Sequence, residues 1–119
     1  MRIALSAQNA SVEGALDPRF GRAKGFLIMD ADETEPLYIE NTQNLNAVSG
    51  AGIQSAQHLV NNNVEVLITG NCGPKAFAVL VAGGIAVYLT RTDSVAEALA
   101  QYQAGALSRL TAPNVDGHW

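Results

Sequence analysis

The stretch Val64–Phe77, VEVLITGNCGPKAF, decides how the chain folds. Val64, Val66, Leu67 and Ile68 form a short apolar run broken only by Glu65, the pattern of a central strand covered on both faces. The run stops at Gly70-Asn71-Cys72-Gly73-Pro74. Glycine tolerates the sharp turn that leads a strand back into a helix, and proline suits a first helical position, where its missing N–H costs nothing. Lys75, Ala76, Phe77, Leu80 and Val81 continue at helical spacing. The unit is strand, tight loop, helix, and in open α/β sheets ligands bind at the carboxyl ends of such strands. Cys72, the single cysteine, lies on that loop with Lys75 just beyond it.

Upstream of this unit, Arg2–Ala7 reads as a first strand, with Ile3 and Leu5 on one face. A long connection, Gln8–Gly25, follows, and structureless loops of that length are commonly functional. Phe26–Asp30 and Pro36–Asn41 read as second and third strands. The acidic turn between them, with Asp30, Asp32, Glu33 and Glu35, predicts an antiparallel hairpin. The polar Thr42–Val48 leads to Ser49-Gly50-Ala51-Gly52, where Ser49 is a candidate N-cap for a helix with Ile53, Ala56, Leu59 and Val60 on its packed face. Asn61-Asn62-Asn63 ends that helix.

Downstream, Gly83-Gly84 closes the second helix and Ile85–Leu89 reads as the last strand. Ser94 with Glu97 fits a capping box opening a third helix, with Val95, Ala98, Leu99 and Tyr102 on its apolar face. Ala106–Trp119 has no periodicity and reads as a tail, either loose or docked through Trp119. The order βββαβαβα, a meander followed by right-handed crossovers, predicts a three-layer α/β domain: a five-stranded mixed sheet with helices on both faces. That arrangement resembles the ribonuclease H-like architecture.

Length and composition narrow the function classes. The chain has 119 residues, enough for one domain and not two. Its apolar runs are far too short to span a membrane, and Met1-Arg2 leads directly into a strand with no signal-like segment, so a cytoplasmic location is expected. A net charge of −4 argues against nucleic acid. One cysteine makes no internal disulfide and cannot hold a four-thiolate cluster alone. A cysteine phosphatase needs an arginine soon after the thiol, and none occurs between Cys72 and Arg91. The two-metal chemistry of a nuclease on this kind of sheet needs carboxylates on the first strand, and Ile3–Gln8 has none.

Three loops carry candidate binding residues. In Asp17-Pro18-Arg19-Phe20-Gly21-Arg22-Ala23-Lys24, Arg19 and Arg22 can present fork-shaped donors to an anion, or form a solvated basic loop paired to nearby acids. In Asn44–Gly52, Gly50 and Gly52 open a helix whose unpaired N–H groups and partial positive charge suit an anion, or serve ordinary capping. In Gly70–Lys75, Asn71, Cys72, Gly73 and Lys75 offer backbone N–H groups, a cation and a thiol. A thiolate near a helix N-terminus has a lowered pKa and takes soft metals; a turn with an incidental cysteine is the alternative. His58, off the packed line of its helix, is either a partly exposed helical histidine or a soft-metal ligand, and His118 lies in the tail.

Asp17–Lys24 followed by Phe26-Leu27-Ile28-Met29-Asp30, then Gly50-Ala51-Gly52-Ile53-Gln54, then Leu67–Phe77 continuing to Gly84–Tyr88, resembles in order and spacing the dinitrogenase iron–molybdenum cofactor biosynthesis family. The resemblance runs from Met1 to about Leu107 and leaves 108–119 as a C-terminal tail. It implies a ribonuclease H-like fold without nuclease chemistry. It also implies a non-enzymatic protein that binds, carries or stores an anionic metal–sulfur cluster containing molybdenum, iron or copper. Arg19, Arg22 and Lys75 would supply charge, the Gly50–Gly52 and Gly70–Gly73 backbones N–H donors, and Cys72 or His58 a soft metal ligand. Cluster donor and acceptor proteins would be its partners. The alternative is a regulatory or scaffold domain that binds proteins without a cofactor.

Overall fold

The computed structural model describes residues 1–30, 35–41 and 50–115. The acidic residues Asp32 and Glu33, the Asn44–Ser49 segment, His118 and Trp119 lie outside them. The strands are β1 (Arg2–Ala7), β2 (Gly25–Asp30), β3 (Leu37–Glu40), β4 (Val66–Thr69) and β5 (Ala86–Leu89). The helices are α1 (Ala51–Asn61), α2 (Pro74–Ala82) and α3 (Val95–Gln103), with a 3-10 turn at Phe20–Arg22. The sheet has five strands in the order β3-β2-β1-β4-β5. The first three strands pair antiparallel, while β4 runs parallel to both β1 and β5.

Every residue of β4 is buried, as its unbroken apolar run requires of a strand with a helix layer on each side. Alternate side chains feed two cores. Ala4, Phe26, Ile28, Leu67 and Val87 pack with Ala56 and Leu59 of α1 and Ala76 and Leu80 of α2. Leu5, Ala7, Leu27, Val66 and Ile68 face the other way, onto Val95 and Ala98 of α3. The packed faces of the helices follow the spacing, with two departures: Ile53 is 39% exposed and Val81 52% exposed.

Two strands start later than their apolar runs, for one shared reason. Val64 N–H bonds Leu59 O, and Ile85 N–H bonds Leu80 O, each closing the preceding helix. The ladder contacts begin one residue on, at Glu65 N–H to Arg2 O and Ala86 N–H to Glu65 O. All three helices end with a left-handed residue (Asn63, Gly84 and Gly105) after the last turn. At the other ends, Gly50 rather than Ser49 occupies the N-cap of α1. Ser94 caps α3 as anticipated, accepting from Glu97 N–H, but the Glu97 carboxylate accepts from Thr92 Oγ1 instead of closing the reciprocal half of the box. The tail is bonded to the body: Arg109 bridges Tyr88, and Leu110 N–H bonds Val87 O at 2.7 Å, covering the outer edge of β5.

Candidate functional site

The loops after β1, β3, β4 and β5 all leave one edge of the sheet, since β1, β4 and β5 are parallel and the β2 residue Gly25 pairs with both Ala7 and Glu40 there. The loop after β1 is tied down at once. Asp17 N–H bonds Ser6 O at 2.8 Å, and Ser6 Oγ donates to Asp17 O at 2.6 Å while lying 2.8 Å from Thr69 Oγ1. The buried Asp17 carboxylate accepts from Arg19 N–H at 3.0 Å and lies 3.9 Å from Arg19 Nε, whose side chain is 51% exposed. The contact is wide and the Arg19 side chain half-exposed, so its guanidinium still presents donors to solvent.

The first and third motifs meet backbone to backbone. Arg19 and Asn71 form a parallel bridge, Phe20 N–H bonds Asn71 O, and Asn71 Nδ2 donates to Pro18 O at 3.2 Å. Gly70 makes this possible, since a Cβ there would sit 2.7 Å from Pro18 Cα and 2.8 Å from Pro18 O. The second motif joins from the side. A Cβ on Gly52 would touch Ala76 Cβ at 3.1 Å, so the first turns of α1 and α2 lie side by side. Ser55 Oγ lies 3.3 Å from Gly21 O, packing the 3-10 turn on α1.

Neither of these helix starts has a side-chain cap: Gly50 and Gly73 hold the N-cap positions, with Pro74 following the latter. Their first N–H groups and dipole ends therefore face the edge without an internal acceptor from a capping side chain. Arg19, Arg22 and Lys75 are exposed on the segments around them. Arg19, Arg22, Gly50, Gly52, Asn71, Gly73 and Lys75 thus come from the three segments that converge here. Chemically, this arrangement suits a bulky anion held by charge and N–H donors.

Cys72 and His58 stand apart from that arrangement. Cys72 has no exposed surface and belongs to the core beneath α1 and α2, with Sγ 3.7 Å from Gly73 O. Burial pushes its thiol up from an ordinary 9.0 to about 12, opposite to the lowering anticipated from its place before a helix. Desolvation of a thiolate outweighs the dipole here because the sulfur points into the core, away from the open edge. His58 lies seven residues into α1, about 10 Å along the axis from the loop edge at the usual helical rise. Among the described residues no three His, Cys, Asp or Glu side chains gather as a metal-ion site.

The thiol has a measurable consequence. Between pH 9.0 and about 12 the unfolded chain has released the Cys72 proton and the folded chain still holds it, so stability falls as pH rises through that window. Cys72→Ala is expected to lose less stability than the native chain between roughly pH 8 and 10.5 in urea titrations. Tyr38 and Tyr102, also raised first by burial, contribute the same sign in both proteins and cancel in the comparison.

A cleft of about 630 Å³ opens on the β5 side of the Gly70–Asn71 turn, bounded by Leu16, Pro18, Thr90, Arg91, Asp93 and Asn114 among others. Its Thr90–Asp93 wall lies outside the three glycine-bearing motifs. The polar run Thr90–Ser94 just past a parallel strand is a signal that would have found one wall. Asn114, in an aperiodic tail, gives none.

The fold and the edge define a small three-layer α/β domain whose glycine-bearing loops gather at one end of its parallel strands. The model for the dinitrogenase iron–molybdenum cofactor family matches residues 1–105, and the chain belongs to that family. An uncharacterised protein of Methanocaldococcus jannaschii is 36% identical over 112 residues, 92% of this chain and 91% of that one. Among solved structures, the apo form of the orange protein from Desulfovibrio gigas is 38% identical, with 96% of each chain covered and a TM-score of 0.89. A NifB-like protein from Thermotoga is 30% identical, with 98% of each chain covered and a TM-score of 0.81.

Proposed function

We propose that this protein binds and carries an anionic metal–sulfur cluster at the loop edge, without catalysing a reaction on it. The observation that carries the reading is the pair of adjacent helix starts, α1 and α2, that lack side-chain caps and are surrounded by Arg19, Arg22 and Lys75. Sulfide-rich clusters are large, soft and negatively charged, and such an edge supplies N–H donors and cations without a fixed set of thiolates. The strand order fits a ribonuclease H-like fold, and β1 carries no acid for nuclease metals. Membership of the iron–molybdenum cofactor family supports the same cargo class, and molybdenum, iron or copper would be its metals. We read the protein as a cytoplasmic carrier that passes the cluster between a donor and an acceptor protein. No helix among the described residues is long and apolar enough to cross a membrane.

The hold is ionic and hydrogen-bonded, with Cys72 remaining in the core. Tetrathiomolybdate, titrated anaerobically with copper(I) and followed by its visible charge-transfer bands, is the test. Charge-assisted contacts are worth about 1.5–3 kcal/mol each, so Arg19→Ala with Lys75→Ala is expected to weaken binding at least about tenfold. Raising the salt is expected to weaken it further. Cys72→Ser is expected to bind as the native chain does. Failure of the native chain to bind any thiomolybdate, together with metal-free protein from its own host, overturns the reading.

A further inference from the structure

We infer that residues 109–114 form a releasable strap that, through Asn114, sets the shape of the Asn71–Cys72 turn and the loop bearing Arg19. The contacts form a closed set. Asn114 N–H donates to Cys72 O at 3.2 Å, Cys72 N–H donates to Asn114 Oδ1 at 2.8 Å, and Asn114 Nδ2 donates to Asn71 Oδ1 at 3.1 Å. One asparagine thus satisfies the turn as a neighbouring strand would. Asn71 in turn accepts from Phe20 N–H and donates to Pro18 O, so the position of Asn114 reaches the Asp17–Arg22 loop through a single residue.

The strap is built to come away. Leu110 is its anchor, packed on the core and bonded to Val87 O. Beyond it Thr111, Ala112, Pro113 and Asn114 are all exposed and bury no apolar surface of note. Segments held by exposed hydrogen bonds and little apolar burial open at low cost without global unfolding. The strap also lies beyond residues 1–105 that match the family model, and Asn114 lines the 630 Å³ cleft, so lifting it widens that cleft and uncovers the turn above Cys72. Asn114 is accordingly a positioning residue for the anion edge, and this part of the inference rests on the function proposed above.

Amide exchange at Cys72, whose N–H is held by Asn114 Oδ1, reports strap opening in the full chain and needs no cluster. It is expected to run at least about tenfold faster than exchange at Leu67, in the central strand, and Asn114→Ala is expected to speed it at least about tenfold more while Leu67 stays as in the native chain. Asn114→Asp, which keeps the acceptor for Cys72 N–H, is expected to fall between the two. Exchange at Cys72 as slow as at Leu67, or both accelerated together in Asn114→Ala, overturns the strap. Tetrathiomolybdate titration of the same variants tests its coupling to the site. Asn114→Ala is expected to bind several-fold more weakly, and equal affinity with faster Cys72 exchange overturns the positioning role. Should the native chain bind no thiomolybdate, the functional reading and the positioning role fall together, while the exchange result on the strap itself stands.

Discussion

Gly70→Ala is expected to lower the thermal midpoint by about 10 °C and to abolish thiomolybdate binding. The methyl group would arrive 2.7 Å from Pro18 Cα and 2.8 Å from its carbonyl oxygen, distances that atoms of that kind do not adopt. Both are backbone atoms of a loop fixed at Asp17 by its bonds to Ser6, so no flexible side chain can yield. Overpacking against rigid neighbours costs about 3 kcal/mol, and for a domain of this size that corresponds to about 10 °C. Relief requires the Gly70–Asn71 turn to withdraw, breaking the Phe20–Asn71 and Asn71–Pro18 hydrogen bonds that hold the Arg19 loop beside α2. A circular-dichroism melt within 2 °C of the native chain, roughly half a kilocalorie at this size, would show the contact to be slack.

Phe20→Ala separates the structural part of the Asp-Pro-Arg-Phe-Gly-Arg motif from the part proposed to bind the anion. Phe20 is fully buried, and its ring centroid lies 5.3 Å from that of Phe26. Truncating a buried phenylalanine costs about 3–5 kcal/mol, a large share of the roughly 5–15 kcal/mol that holds a domain together. Arg22, exposed on the same 3-10 turn, is expected to cost no more than about 1 kcal/mol when replaced by alanine, the upper range for an exposed polar or ionic contact. Urea titrations at constant m-value make the comparison directly. If Phe20→Ala costs no more than Arg22→Ala, the 3-10 turn is not seated in the core.

The contrast within that motif indicates what was legible in the sequence. Elements whose register is set by their own period were readable: β4 from its apolar run, α3 from Ser94 and the spacing of Val95, Ala98, Leu99 and Tyr102. The convergence of the glycine-bearing loops followed from the parallel strands, because parallel strands place their following loops at one edge. What escaped depends on partners distant in the chain. Cys72 looked accessible beside a helix start, yet its sulfur is turned inward and its N–H is taken by Asn114, 42 residues away. No local pattern encodes that pairing. His58 carries the right chemistry for a soft metal, but about two turns of helix separate it from the edge. Ile53 matched the packed period of α1 and is 39% exposed, since a stripe defined by spacing extends past the surface actually covered.

The attachment of the tail bears on how this protein should be handled. Met1 opens β1 at the edge away from the loops, while Asn114, near the last described residue, rests on the turn after β4. A purification handle at Met1 disturbs the wide pairs of its amine with the partly buried Asp30 at 3.9 Å and the exposed Glu65 at 4.0 Å, contacts at the far end of the sheet from the loops. A handle joined after residue 115 hangs its drag and, if histidine-rich, its own metal affinity on the segment that shapes the turn. Two preparations of one sequence, tagged at different ends, would then differ in amide protection of that turn and in metal content although every residue of the folded domain is the same.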